Sequence, residues 1–305
     1  MNSISVDDYE KLIQKERKAY FKQAYDLVYD NFTKLEYDKK DKDFFLENAS
    51  EVVEKLRENC WNEFQPLEKT FISNMLKKLI NDEKIKGLTP MDAITWFVEE
   101  FPEYIYALTL SNTQSRRSRA GKEFEHIIEL ILIGAGISLD SQGNIGKKEF
   151  VEKGLGKMVD LVSPGVLEYI INKRNTVLIS AKTTLRERWQ EVPEEMGRTG
   201  AREMFLATLD TSISNEVLDT LYEANIQVTT TKKIKEGYYS DNNRVLTFEK
   251  LIEICLDNIS HWENFNYTVD QNEQIIGILN KQIKKHKKHD FVKEYYQKRL
   301  NEIKD

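Results

Sequence analysis

An aspartate, a lysine and a glutamate stand where a metal-dependent nuclease would use them. Lys182 ends a short β-branched segment, Asp160 ends an earlier apolar segment, and Glu195 falls on the helix predicted after the lysine. Mg²⁺ prefers hard oxygen ligands, and in phosphoryl chemistry it stabilises developing charge and acidifies a water. The spacing therefore favours metal-assisted cleavage of phosphodiester bonds.

Each member of this set has an expected role. We expect Asp160 and Glu195 to hold the metal, with the backbone carbonyl of Ala181 as a third ligand. Lys182 is expected to stabilise the developing charge and to orient or deprotonate the attacking water. Glu125, on the preceding predicted helix, would hold a water or a second metal. The alternative is an ordinary strand-end lysine, a turn aspartate and a solvated glutamate.

A charged triplet, Arg186-Glu187-Arg188, follows the lysine at once. It is predicted to open a helix that Thr183 or Thr184 caps. An arginine fork matches O6 and N7 of guanine, and a carboxylate accepts from N4 of cytosine. The triplet is thus a candidate reader of two stacked G·C pairs, with the glutamate bridging both cytosines. Taken alone, it fits better the alternative of surface ion pairs, which contribute little to stability.

A second basic cluster begins the predicted helix that carries Glu125. Its cations are Arg116, Arg117, Arg119 and Lys122, and Gln114 precedes them. The cations are expected to clamp phosphates beside the catalytic residues, and Gln114 to contact a base edge in the minor groove. The alternative is an arginine cluster paired with nearby acids.

Two more features have a nucleic-acid interpretation. Arg57 and Trp61 lie four residues apart on a predicted helix, so they share a face and can sandwich an unstacked base. A core tryptophan beside a solvated arginine is the simpler alternative. The basic segment from Lys281 to Lys288 either follows phosphates or is a solvated helical face.

Composition indicates an ordinary globular chain. Of 305 residues, 40% are hydrophobic and 31% charged, and only 5 prolines and 13 glycines argue against long disordered linkers. The net charge of −6 does not favour DNA binding, although a local basic surface suffices for it. We expect no secretory signal and no membrane span, and hence a cytoplasmic protein with reduced Cys60 and Cys255.

Hydrophobic periodicity predicts the elements that position these residues. Helices are expected over 7–34, 43–64 with Pro66 as a stop, 67–84, from Thr89-Pro90 towards Phe101, and over 118–132, 185–196, 214–224 and 248–259. One or two basic amphipathic helices are expected over 271–304. Strands are expected near 149–151, 158–162, 177–181, 205–208 and 226–230. This alternation is typical of a mixed α/β sheet flanked by helices. We expect a single nuclease domain over 1–305, with a helical N-terminal region (1–105) for dimerisation and DNA contacts and a catalytic core (106–305) ending in basic helices.

Three motifs between about 114 and 195 are those of a known family. They are Ser118-Arg-Ala-Gly-Lys-Glu-Phe-Glu125, Val159-Asp160, and Ser180-Ala-Lys-Thr-Thr-Leu-Arg-Glu-Arg-Trp189 followed by Glu195. In these the chain resembles the type II restriction endonucleases of the SsoII, PspGI and EcoRII group, related to NgoMIV. Val159 stands in place of the motif's proline and Ser180 in place of its acid, and the second change is normal in this subgroup.

The resemblance implies a PD-(D/E)XK restriction-endonuclease-like core, Mg²⁺ dependence, and a homodimer on double-stranded DNA. It implies cleavage at CCNGG with 5′ overhangs, the displaced glutamate at Glu195, and the Arg-acid-Arg reader at 186–188. Related enzymes flip the central base pair, which supports the interpretation of Arg57 and Trp61, although both lie outside the motifs. A companion methyltransferase is expected, because the enzyme would otherwise destroy its host's DNA.

A dimer also follows from physical reasoning about the reader. One subunit that reads two G·C pairs specifies a half-site, and two-fold symmetry then yields CC…GG. The competing hypotheses are a nuclease of the same fold with little sequence preference, a non-catalytic DNA-binding regulator, and a helical scaffold without DNA affinity.

Overall fold

Helices form the first part of the chain in the structure, a computed structural model that describes residues 4–304 except the side chains of Arg188 and Lys304. They are α1 (Val6–Tyr20), α2 (Ala24–Lys34), α3 (Lys42–Lys77), α4 (Asp82–Ile85), α5 (Pro90–Glu100) and α6 (Pro102–Gly134). The later helices are α7 (Gln142–Ile145), α8 (Lys147–Glu152), α9 (Val166–Ile171), α10 (Glu191–Thr199), α11 (Asn215–Glu223), α12 (Lys232–Tyr238), α13 (Phe248–Ser260), α14 (Val269–Lys285) and α15 (Asp290–Lys304).

A six-stranded sheet follows this helical region. Its strands are β1 (Asp140–Ser141), β2 (Leu161–Ser163), β3 (Val177–Lys182), β4 (Met204–Thr208), β5 (Ile226–Thr230) and β6 (Val245–Thr247), adjacent in that order. β1, β2 and β3 pair antiparallel, and β3 to β6 pair parallel, so the expected mixed sheet is confirmed. The strand expected at 149–151 is wrong, because these residues lie in α8 and bury only Phe150. β1 and β6 are too short to show an alternating pattern.

Several helix boundaries differ from the predicted ones. The expected single helix over 7–34 is two helices, broken after Tyr20. Pro66 does not end a helix, because α3 passes through it, although a proline removes one backbone hydrogen bond. Burial of α3 against α6 outweighs this loss, since Val53, Leu56 and Phe64 are buried. The cap at Thr89 is confirmed: its hydroxyl accepts from the backbone N–H of Asp92 at 3.2 Å.

The sheet separates two hydrophobic cores. On one face, Ile179 and Ala181 pack in a core with Phe124 of α6. On the other face, Leu178 packs in a core with Val192 of α10. Because side chains alternate along a strand, β3 places its C-terminal residues between α6 and α10.

The two C-terminal helices, α14 and α15, pack on the same face of the sheet as α6. His286 and His289 are buried, and Nε2 of His289 lies 3.0 Å from a carboxylate oxygen of Asp26 on α2. Lys281 pairs with Glu149 at 2.9 Å, so this cation of the basic segment is already bound within the protein. Among residues 4–304, no helix is both long enough and apolar enough to cross a bilayer.

Candidate active site

Asp160 and Lys182 meet at the point where β2 and β3 pair. The backbone N–H of Asp160 donates to the carbonyl of Ile179 at 2.9 Å, which aligns the aspartate with the end of β3. Its Oδ2 accepts from the backbone N–H of Ala181 at 2.7 Å and from Nζ of Lys182 at 2.8 Å. Nζ also donates to the carbonyl oxygen of Ala181 at 3.0 Å. The structure therefore brings these three predicted residues together.

Glu125 reaches the same point from α6. Burial, and then the negative charge of Asp160, raise the pKa of Glu125 to about 7, while Lys182 and Lys122 act in the opposite direction. Burial also raises the pKa of Asp160, and the ammonium of Lys182 opposes that effect. Two carboxylates that repel each other beside a lysine form a site where a cation would relieve the repulsion.

Glu195 lies on the opposite face, on α10. Its Oε2 accepts from the backbone N–H of Lys157 at 3.0 Å, and its Oε1 accepts from Arg198 at 3.4 Å. A Cβ at Gly156 would overlap Oε2, so any larger residue there would displace the carboxylate of Glu195. Within residues 4–304, no group of three or more His, Cys, Asp or Glu side chains is close enough to hold a metal. The metal-ligand role of Glu195 stays a prediction.

Ser180 stands where many nucleases carry an acid. Its side chain is fully buried on the face of β3 that packs toward α10, and its hydroxyl has no hydrogen-bond partner among the described residues. The oxygens gathered around Lys182, from Asp160, Glu125 and the carbonyl of Ala181, are hard donors. Such a donor set fits Mg²⁺ and does not fit a metal that prefers sulfur or nitrogen.

The predicted reader lies on a 3₁₀ helix, Arg186–Gln190, rather than on the first turn of an α-helix. Arg186 and Glu187 are exposed, whereas the side chain of Arg188 lies outside the described part of the chain. The expected cap by Thr183 or Thr184 is wrong, because Oδ2 of Asp210 accepts from the backbone N–H of Leu185 at 2.8 Å. Sequence reasoning missed Asp210, although an aspartate two residues before a serine at a strand end is a turn signal.

The second basic cluster lies in the middle of α6, not at a helix start. Nε of Arg116 donates to Oε2 of Glu68 at 2.6 Å, and Glu68 is only 1% exposed. Nε of Arg119 donates to Oε1 of Glu123 at 2.6 Å. Gln114 and Arg117 are exposed. Ion pairing with acids thus occupies Arg116 and Arg119, as the alternative interpretation expected.

Arg57 and Trp61 both lie on α3. Nη1 of Arg57 donates to Oε2 of Glu123 at 3.3 Å and to the carbonyl of Ala120 at 3.2 Å. Trp61 is 43% exposed and is therefore not a core residue. Among the described side chains, the guanidinium above its ring is that of Arg116, 5.7 Å from the centroid.

Arg116→Ala and Arg117→Ala are expected to differ in their effect on stability. The first leaves the buried carboxylate of Glu68 without its cation and should lower the free energy of unfolding by about 2–3 kcal/mol, below the fully buried range because Arg116 is half exposed. The second should leave the melting temperature unchanged but weaken binding to any duplex and reduce its salt dependence. Thermal melts and salt titrations of both variants check this. Equal melting temperatures would contradict it.

Comparison with known proteins shows the family of the chain. It is 53% identical over 305 residues to the type II restriction enzyme SsoII of Shigella sonnei, covering 100% of both chains. The chain belongs to the type II restriction endonucleases. Residues 71–252 match the family model "EcoRII C terminal". This restriction endonuclease is also similar, at 52% identity, to metal-depleted Ecl18kI in complex with uncleaved, modified DNA, with a TM-score of 0.93 over 98% of this chain and 99% of that one.

A more distant solved structure shares only the fold. The PspGI–substrate DNA complex is 16% identical, with a TM-score of 0.58 over 79% of this chain and 94% of that one. Together with the mixed sheet, these similarities confirm the expected restriction-endonuclease-like α/β core with a helical N-terminal region. Family membership confirms the expected site-specific deoxyribonuclease.

Proposed function

We propose that this restriction endonuclease uses Mg²⁺ to cut double-stranded DNA at CCNGG, leaving 5′ overhangs. One observation carries the proposal: exposed Arg186 and Glu187 follow Lys182 on one short loop, and Lys182 is bonded to Asp160. Because only four residues separate Lys182 from Arg186, the residues that read bases and those that cleave the phosphodiester bond would contact neighbouring parts of one duplex.

The catalytic residues then divide the work. Asp160, the carbonyl of Ala181 and Glu195 would hold Mg²⁺, which supplies positive charge at the scissile phosphate and acidifies a water. Nζ of Lys182 turns from the Ala181 carbonyl towards the phosphate and stabilises its developing charge. Glu125 would hold a water or a second metal, which its position beside Asp160 and Lys182 supports.

The reading residues act on both grooves. Arg186 and Arg188 would donate to guanine edges in the major groove, and Glu187 would accept from both neighbouring cytosines. Gln114, exposed on α6, would contact a base edge in the minor groove. Arg57 and Trp61 would hold the flipped central base, which the 43% exposure of Trp61 supports. Arg116 and Arg119 would contact DNA phosphates while they remain paired with Glu68 and Glu123.

A homodimer completes the site, because one subunit reads only half of a palindrome. An apolar stripe on α5 supports this proposal: Met91, Ile94 and Val98 are 71%, 62% and 57% exposed at helical spacing. Exposed Tyr106 lies on the adjoining α6. A stripe of this kind in a folded chain marks an interaction surface, and we assign it to the second copy.

Ile94→Asp is expected to convert the dimer into a monomer, because it places a carboxylate at the centre of the α5 stripe. Sedimentation at several concentrations measures the change. Thr95→Asp is the matched control, since Thr95 is an exposed polar residue beside the stripe. A dimer that survives Ile94→Asp would move the interface elsewhere.

The cellular setting follows from the chemistry. An enzyme that cuts so short a site needs a companion methyltransferase that modifies the same site in the host's DNA. We place both in the bacterial cytoplasm, where the DNA lies.

Single-site duplexes test the proposed function. With Mg²⁺, we expect cleavage of CCNGG duplexes with each of the four central pairs, and none when one outer or inner G·C pair becomes A·T. Duplexes without the site serve as controls. Cleavage that ignores these replacements would reject the CCNGG assignment, and specific binding without any cleavage would favour the regulator.

A further inference from the structure

The loop from Lys182 to the reader is held by the neighbouring strand. Lys182 pairs in register with Thr208 in the parallel β3–β4 ladder. Asp210 stands two residues beyond Thr208 and is only 8% exposed. Residues that leave two adjacent parallel strands at the same edge lie side by side, so Asp210 faces the segment 183–185.

The carboxylate of Asp210 accepts from two segments at once. Its Oδ2 accepts from the backbone N–H of Leu185 at 2.8 Å. Its Oδ1 accepts from the backbone N–H and the hydroxyl of Ser212 at 3.0 and 2.8 Å. Burial alone would raise the pKa of Asp210, but these donors lower it below its usual value.

The backbone that Asp210 holds is strained. Arg186 has a φ of 45°, in the left-handed region that residues with a Cβ rarely adopt. Such a conformation is unfavourable and persists only where the surroundings enforce it. The 3₁₀ helix begins at this residue, directly after Leu185, whose backbone N–H Asp210 holds.

The side chain of Tyr239 holds the backbone of Asp210 in place through hydrogen bonds. The hydroxyl of Tyr239 donates to the carbonyl of Asp210 at 2.9 Å and accepts from the backbone N–H of Ile213 at 3.1 Å. Tyr239 is itself buried in the core of the second face. The position of the carboxylate is thereby set by the core and not by the surface loop.

We propose that Asp210 is a positioning residue for sequence reading, which fixes the reader loop relative to the catalytic Lys182. The inference rests on the proposed function of Arg186 and Glu187. Without the carboxylate, the backbone N–H of Leu185 loses its acceptor and Arg186 relaxes to a negative φ. Both reading side chains then leave hydrogen-bond distance of the base edges, whereas phosphate contacts elsewhere on the protein are unaffected.

Asp210→Asn tests this role, because the amide keeps the size of the side chain but replaces one acceptor oxygen with a donor. We expect its affinity for a CCNGG duplex to fall about 10- to 100-fold, as for the loss of one or two base contacts. Its affinity for a duplex without the site should stay within about twofold. Cleavage at saturating CCNGG duplex should fall less than the affinity, so that KM changes more than kcat.

Asp140→Asn is the matched control. Asp140 is also buried and also accepts from a backbone N–H, that of Val166 at 2.8 Å, but it lies on β1 away from the reader. This variant should lower the melting temperature without changing the ratio of specific to non-specific affinity. Equal loss of that ratio in both variants would reduce Asp210 to a stabilising residue and overturn the proposal.

Two further variants separate the outcomes. Tyr239→Phe removes only the hydroxyl that bonds to Asp210 and Ile213. It should lower the ratio of specific to non-specific affinity by a smaller factor than Asp210→Asn does. This variant keeps the test decisive if Asp210→Asn does not fold. Glu187→Ala in the same assay reports on the reader itself. If Glu187→Ala lowers the ratio while Asp210→Asn and Tyr239→Phe do not, the positioning role fails alone. If Glu187→Ala has no effect, the proposed reader fails.

Discussion

Glu187→Ala should lose at least about 100-fold in affinity for CCNGG duplexes, since each lost base contact is worth about 1–3 kcal/mol and both subunits lose theirs. The glutamate is exposed on the 3₁₀ helix, so its removal leaves the fold intact. Affinity for duplexes without the site should stay the same or rise, because a negative charge near the phosphates is gone. Gel-shift titrations with both duplexes measure the two effects.

Glu191→Ala is the control for this result. Glu191 is likewise exposed, and it begins α10 just beyond the reader. Its removal changes the net charge equally and should leave the preference for CCNGG unchanged. A similar loss in both variants would mean that charge, and not base reading, determines affinity.

Asp160→Ala should keep binding and lose cleavage. A metal contributes several kcal/mol of transition-state stabilisation, so the single-turnover rate should fall by about 1000-fold or more. The reader loop makes no contact with Asp160 among the described hydrogen bonds, and the removed carboxylate would otherwise repel phosphate. Single-turnover cleavage and gel shifts of the same preparation measure both activities.

Asp160→Ala should also be less stable than the wild-type protein, because the substitution removes hydrogen bonds. Asp160 accepts from the N–H of Ala181 and from Lys182, so its removal costs about 1–3 kcal/mol of stability, which a thermal melt registers. Assays below the lowered melting temperature avoid this effect. If Asp160→Ala and Glu187→Ala each lost binding and cleavage to the same extent, the division between cutting and reading residues would be wrong.

The meeting of the proposed cleaving residues was predictable from sequence because their placement is local to two paired strands. Lys182 ends a clear β-branched strand, and Asp160 lies where the preceding strand pairs with it. The helical position of Glu125 was predicted correctly, but the predicted helix began at 118, whereas α6 begins at Pro102. The polar segment 111–119 shows no apolar periodicity, so the sequence hides that the helix is continuous there.

Long-range partners were not predictable. Glu68 and Arg116 are 48 residues apart in sequence, and only the packing of α3 on α6 pairs them. Asp210 caps the reader loop because β4 pairs with β3, and strand order is a property of the whole sheet. The predicted cap at Thr183 or Thr184 failed for this reason: a local acceptor was assumed where a neighbouring strand supplies one.

Digestion of a sequenced plasmid with Mg²⁺, followed by sequencing of the fragment ends, shows whether the protein cuts DNA at one short sequence. We expect discrete fragments that all end at CCNGG, and no fragments from Lys182→Ala, whose folding a thermal melt verifies. Unselective ends from the wild-type enzyme would contradict the reader at Arg186 and Glu187. Undiminished cutting by Lys182→Ala would contradict the catalytic site.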